Sequence, residues 1–249
     1  MKLQIEDGQK SYFYDVLLCL AIYLVVSSCP APFFLDQGSF TCILRLLVTI
    51  PIFGLLCTHA SPKLVKSTKG FLLCLPFFIL CFGNLCSLFF AKELTPNKED
   101  LFLQGFFSLV TAGIEEVIFR FGVCEILSKT NLRKFRILIS AFLFGAFHLL
   151  SLIAGSPVIP TLAQAGYTFL LGLLLGLVYE TGGLGIAILL HFAFNFFQND
   201  LFTKLGGGEW NAIFFAFNIG FYLLCVGYAF VFKAVFFNGL LEKETAHKI

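Results

Sequence analysis

Charge is what this chain has least of. Asp, Glu, Lys and Arg make up 13% of its 249 residues, where a soluble domain carries about 25%. So few charges exclude an ordinary water-facing surface. Other absences narrow the function. There is no basic cluster to suggest nucleic acid, and the formal net charge is only +2. No GxxxxGK[ST] loop occurs to cradle phosphates, and no HExxH is present. The nine cysteines form no CxxC and no Cys–His spacing typical of zinc. Cys19, Cys29, Cys42, Cys57, Cys74, Cys81, Cys86 and Cys225 lie in or at the ends of apolar runs, and Cys124 lies near the end of another. They read as small apolar side chains among helices. No cleavable signal is expected: the first apolar run, Phe13 to Cys29, ends in Ser-Ser-Cys-Pro-Ala-Pro without a small-x-small site, and reads as a membrane helix. No repeat, low-complexity tract or long linker divides the chain, so 1–249 reads as a single membrane domain.

What fills the space left by charge is hydrocarbon. Hydrophobic residues make up 58% of the chain, 34 of them Phe, and the mean hydropathy is +0.90. Spanning a bilayer takes roughly 20 apolar residues. Runs of that order fall at 13–33, 40–57, 71–91, 101–127, 134–154, 161–180, 183–199 and 212–237. The second is short and holds Arg45 and Pro51, which makes it the weakest. The expected fold is therefore all-α, a polytopic integral membrane protein of about eight transmembrane helices. With the N-terminus inside, the inner segments hold Lys2, Lys10, Lys63, Lys66, Lys69, Lys129, Arg133, Lys134, Arg136, Lys243 and Lys248. The outer loops hold only Lys92, Lys98 and Lys204, so both termini are expected on the cytoplasmic side. Gly172 and Gly176 form a GxxxG step expected to let two helices approach closely. Thr181-Gly182-Gly183 reads as a tight turn between the sixth and seventh helices. Trp210 reads as an interfacial anchor.

Ionisable groups inside membrane helices are costly, and each is a functional hypothesis by default. The strongest set is Gly113-Ile114-Glu115-Glu116-Val117-Ile118-Phe119-Arg120. Glu116 and Arg120 stand i and i+4 with the acid first, the spacing for a direct ion pair. Glu115 is turned by about 100° from Glu116 and faces another neighbour. One acid is then neutralised and structural, and the other is free for chemistry; a purely structural Glu–Arg pair would leave Glu115 without a role. His148 closes Leu143-Phe144-Gly145-Ala146-Phe147-His148. A lone histidine in an apolar helix is more often a hydrogen-bonded core residue than a catalyst. His191 and Asn195, again i and i+4, put an imidazole and an amide on one helix face.

Depth joins these sets. At about 1.5 Å rise per residue, Glu115 lies about 18 Å from the inner end of its helix, His148 about 21 Å, His191 about 12 Å and Asn195 about 18 Å. Three helices thus place their polar groups in one slab. Arg45 reads as a snorkelling side chain or a partner of Asp36. Glu180 shows no evident partner; Gln164 and Tyr167 are candidates for the cavity wall, with the weight of the reading against them.

Glu115-Glu116-x-x-x-Arg120, Phe144-x-x-x-His148 and His191-x-x-x-Asn195 resemble, in order, the three motifs of the CAAX-processing and bacteriocin-processing (CPBP) membrane proteases. That family includes the eukaryotic type II CAAX prenyl endopeptidases. The resemblance covers about residues 100–200. It implies an eight-helix intramembrane endopeptidase open towards the cytosol, acting on a membrane-associated peptide or protein. It further implies that Glu115 with His148 deprotonates a water, that His191 and Asn195 stabilise the oxyanion, and that Glu116 and Arg120 hold the first acid in place. If a metal takes part, Glu115, His148 and His191 are its implied ligands, a set Zn²⁺ accepts. The missing HExxH and the weak affinity of an amide for zinc turn the expectation to a metal-free, glutamate-based mechanism with no cofactor.

Two other functions fit the same residues: a small proton- or ion-coupled transporter, and a catalytically silent scaffold that binds a peptide. The lack of an internal repeat speaks against the first. The intact motifs speak against the second. The lipid bilayer is an expected partner and nucleic acid is not. GxxxG serves packing within and between chains alike, so it sets no oligomeric state. Compact length without targeting extensions favours a bacterial plasma membrane over the endoplasmic reticulum.

Overall fold

The computed structural model describes residues 9–29, 31–32, 36–79, 98–153, 155–197 and 212–238. Regular structure among the described residues is helical throughout, without a strand. Helix α1 is Lys10–Ser28, α2 Gln37–Cys57 and α3 the short Gly70–Leu73. Helix α4, Lys98–Glu116, runs on through a π-helical stretch, Val117–Cys124, into a last α turn, Glu125–Ser128. A 3₁₀ turn at Arg133–Phe135 leads into α5, Arg136–His148, which is followed by α6 (Val158–Gly182), α7 (Leu184–Ala193) and α8 (Ala212–Phe232).

Among the described residues five helical stretches are long and apolar enough to cross a membrane: Lys10–Ser28, Gln37–Cys57, Phe102–Ser128, Arg133–Leu152 and Val158–Gly182. Leu184–Phe197 and Ile219–Val235 are shorter apolar helices. The expected span at 71–91 lies outside the described residues beyond 79, as do Trp210 and Lys204. The second span is firmer than its composition suggested. Asp36 Oδ1 accepts from Ser39 N at 2.9 Å and caps α2, satisfying one of the orphan N–H groups of a helix start. The helix then continues through Pro51.

The distribution of polarity is inverted relative to a water-soluble bundle. Ile50 and Phe102 are each 74% exposed, whereas Glu116 and Arg120 are fully buried. In hydrocarbon an exposed Phe costs nothing, while backbone and charge must be satisfied inside. The chain is a multi-pass membrane protein on this basis.

Helix α6 forms the centre, with α5, α7 and α8 against it; α4 packs on α7 and α2, and α1 on α2. The α5–α6 approach is close because of glycine. A Cβ on Gly172 would lie 3.0 Å from Ala141 Cα, and one on Gly176 2.5 Å from Ile137 Cγ2. The GxxxG step thus serves packing within the chain. At the α6–α7 turn, Gly183 has φ +102°, a left-handed backbone that glycine alone adopts freely. The loop after α2 docks there through Leu184 N to Lys63 O (3.0 Å), Gly185 N to Leu64 O (2.8 Å) and Lys66 N to Gly182 O (2.7 Å). The first N–H groups of α7 are satisfied by carbonyls from a distant loop rather than by a side-chain cap.

Candidate functional site

The i and i+4 spacing of Glu116 and Arg120 delivers the expected ion pair. Arg120 Nε lies 3.1 Å from Glu116 Oε2, both side chains fully buried. The guanidinium is held further by α5. Arg120 Nη1 donates to Ser140 Oγ at 2.8 Å, and Ser140 Oγ donates to the Phe119 carbonyl at 2.6 Å. The Arg120 guanidinium also stands 5.3 Å from the centre of the Phe144 ring. This charge is therefore paired, hydrogen-bonded and stacked, which is what a charge removed from water requires. The π-helical stretch begins at Val117, immediately after the two acids, and all eight of its residues are buried. Such π segments widen a helix locally and recur at functional sites.

From Glu116 the network turns towards α7. His191 Nδ1 lies 2.9 Å from Glu116 Oε1, and its Nε2 lies 3.4 Å from Glu115 Oε2. A carboxylate offers only lone pairs, so Nδ1 carries a hydrogen towards Glu116. The second contact closes only if a proton sits between Nε2 and Glu115. On its other oxygen, Glu115 Oε1 accepts a short hydrogen bond from Tyr23 OH on α1. Glu115 therefore faces neighbours other than Arg120, as its rotation around the helix required.

His148 ends α5, with Nδ1 3.0 Å from the Phe144 carbonyl. A carbonyl is an acceptor, so Nδ1 carries the hydrogen and Nε2 keeps a lone pair. A cavity of about 330 Å³ has Glu115, His148, His191 and Asn195 in its wall, together with Arg45, Gln164 and Tyr167. Asn195 lies in a π turn at 194–197 that continues α7. A second cavity, of about 570 Å³, has a more apolar wall that includes Leu24, Phe119, Phe147, Leu150 and Ile153. Arg45, Glu115, Phe144 and His148 belong to both walls.

Several residues stand differently from their sequence reading. Arg45 turns inward: Nη1 donates to Thr111 Oγ1 at 2.8 Å and Nη2 to Ser27 Oγ at 3.4 Å. Asp36 is engaged as the α2 cap instead. Gln164 and Tyr167 line the cavity. Glu180 pairs with Arg136 and, at 2.5 Å, with Lys233. Tyr23 had no signal beyond being one aromatic in an apolar helix, since its partner lies 92 positions away. Arg45 did have one, by the same rule of buried charge that singled out Glu115.

The donors that a metal would use are engaged with one another or with the backbone, save His148 Nε2. Both nitrogens of His191 face the two glutamates, and Nδ1 of His148 is spent on a backbone carbonyl. Among the described residues no three His, Cys, Asp or Glu side chains converge as metal ligands do.

Residues 97–197 match the family model of the type II CAAX prenyl endopeptidases, described as Rce1-like. Over that segment the chain is similar to the CAAX protease family. The matched segment runs from the start of α4 through α7 and contains all three motifs. The family matched is one of proteases, and the likeness agrees with the apolar helices of a multi-pass membrane protein. No curated protein and no solved structure matches the chain.

Proposed function

We propose that the chain is an intramembrane endopeptidase that hydrolyses a peptide bond of a membrane-associated peptide or protein with water activated by Glu115 and His148. The observation that carries this reading is the shared wall: Glu115, His148, His191 and Asn195, from three helices, line one cavity inside the bundle. Water is a weak nucleophile at neutral pH and needs a base within hydrogen-bond reach. Glu115 takes the proton as the water oxygen bonds to the scissile carbonyl carbon. The lone pair on His148 Nε2 orients the same water. Once Glu115 has taken the water's proton it no longer holds the hydrogen on His191 Nε2. That hydrogen turns with Asn195 Nδ2–H to the developing oxyanion, a kind of interaction worth about 3–4 kcal/mol per donor. When the tetrahedral carbon collapses, the C–N bond breaks and Glu115 returns its proton to the leaving amine. Glu116 and Arg120 act on the reaction only by holding His191 and the helix in place.

The test is cleavage of a panel of prenylated and unmodified peptides by detergent-purified protein, followed by mass spectrometry. Loss of cleavage in Glu115→Ala and in His148→Ala is expected. Cleavage that survives both substitutions would remove these residues from the chemistry. Proton flux into liposomes without any cleavage would replace the peptidase reading with that of a transporter.

A further inference from the structure

Among the described residues that line the two cavities, Arg45 is the charged group that the proposed chemistry does not use. Its position is built rather than incidental. It lies about two fifths of the way along α2 and reaches inward to α1 and α4. Two of its nitrogens rest on neutral hydroxyls, those of Thr111 and Ser27. Its guanidinium carbon stands 5.6 Å from the centre of the Tyr23 ring. Its Nε is buried and has no hydrogen-bond partner among the described residues. No carboxylate among the described residues pairs with it either, in contrast to Arg120, whose Glu116 lies 3.1 Å away.

A guanidinium in a membrane interior without a counter-charge is costly, and such a group is functional by default. Guanidinium is also the side chain whose planar fork matches a carboxylate. Arg45 reaches both cavities, beside Glu115 and His148. An anion bound there sits within the same walls as the reacting carbonyl. The acids already present are committed: Glu116 to Arg120 and His191, Glu115 to His191 and Tyr23. Among the described residues no acid is left to face Arg45.

We infer that Arg45 receives a carboxylate of the bound peptide and so selects substrates that carry one close to the scissile bond. The inference rests on the peptidase reading for its substrate, but the anion site stands on the geometry of Arg45 alone. A peptide has two sources of carboxylate, its C-terminus and an Asp or Glu side chain. Both offer the same fork to Arg45.

The experiment measures binding and cleavage separately. Short apolar peptides are prepared as C-terminal acids, as C-terminal amides, and as amides with one internal Asp. Binding to the full-length protein in nanodiscs is read by the shift in its melting temperature and by titration calorimetry; cleavage is read by mass spectrometry. Acid peptides are expected to bind about 10- to 100-fold more tightly than neutral amides, the range for a charge-assisted hydrogen bond. In Arg45→Gln that preference is expected to vanish, and Arg45→Lys is expected to recover only part of it, because an ammonium lacks the fork. Preference restored by an internal Asp assigns the side-chain carboxylate as the source, and preference confined to the free acid assigns the terminus. Equal binding of acids and amides, or no binding of either, overturns the inference whether or not the protein cleaves anything. An unchanged preference in Arg45→Gln, purified as a monodisperse protein, overturns it as well. Acid-selective binding without cleavage would leave the anion site standing and sink the peptidase reading.

Discussion

His191 lies between the two adjacent glutamates of α4, with Nδ1 2.9 Å from Glu116 Oε1 and Nε2 3.4 Å from Glu115 Oε2. Because Glu116 also holds Arg120 and Glu115 also accepts from Tyr23, one unbroken chain of polar contacts joins α4, α7 and α1. Its two ends differ in surroundings. The Arg120 end is sealed in the bundle, while Glu115 belongs to the walls of two cavities. On the proposed reading the adjacent acids divide their labour: Glu116 sustains the fold and orients His191, and Glu115 meets whatever enters.

That division gives opposite phenotypes for two chemically identical substitutions. Glu116→Gln leaves Arg120 buried without its counter-charge, and breaking such a pair costs about 3–5 kcal/mol. The melting temperature in detergent should drop markedly. Glu115→Gln removes the base but leaves Tyr23 OH an amide oxygen to donate to. It should melt like the wild type while cleavage falls by about 10²- to 10⁴-fold. Equal melting of the two variants would contradict the assignment of Glu116 as the structural acid.

Tyr23 offers a finer probe of Glu115. The Phe substitution keeps the ring and its stack on Phe147, whose centroid lies 5.7 Å away, and deletes only the hydroxyl. A hydrogen bond to a charged group is worth about 1.5–3 kcal/mol. If the contact positions the base for reaction, kcat should fall about 10- to 100-fold, with KM changing little. A change in KM alone, read from initial rates, would make Tyr23 a binding residue instead.

Much of this site was legible in the sequence, for one physical reason. Charge and imidazole inside apolar runs are costly enough to stand out, and the helical rise converts their positions into depth. Glu115, Glu116, Arg120, His148, His191 and Asn195 were found that way, and the structure brings them together. Tyr23 was invisible because a tyrosine belongs comfortably in any membrane helix; only the fold shows that its hydroxyl meets Glu115. Arg45 was visible but misplaced, since the spacing along one helix cannot say whether a side chain faces lipid or a cavity. The Glu180 pairs with Arg136 and Lys233 join separate helices at positions far apart in the chain, which local spacing does not encode. The π-helical stretches after Glu116 and Ala193 leave no mark in composition at all.

The donor geometry also bears on metal dependence. Holding a divalent ion at His191 Nε2 would replace its contact with Glu115, and no third His, Cys, Asp or Glu converges there among the described residues. A chelator added to the cleavage assay is therefore expected to leave the rate unchanged, and added Zn²⁺ should not raise it. Loss of activity on chelation, restored by one specific metal and accompanied by a stoichiometric content in elemental analysis, would refute the glutamate-based mechanism.

The approach of α5 to α6 sets where His148 stands, and it can be tested far from the chemistry. A Cβ at position 176 would sit 2.5 Å from Ile137 Cγ2 and 3.4 Å from Ile137 Cβ. Gly176→Ala therefore overpacks the interface, at a cost of about 1–3 kcal/mol. His148 lies on the same helix, about 16 Å further along by helical rise. Pushing the two helices apart displaces the imidazole from the water it must orient. Misplacement by about 1 Å can cost about 10²-fold in rate, so cleavage should fall further than the folded fraction does. Trimming the obstacle should remove the effect: in an Ile137→Ala background, whose side chain ends at Cβ, Gly176→Ala is expected to cost nothing further in melting temperature or kcat. A double variant no better than the sum of its parts would show that the glycine acts through something other than this contact.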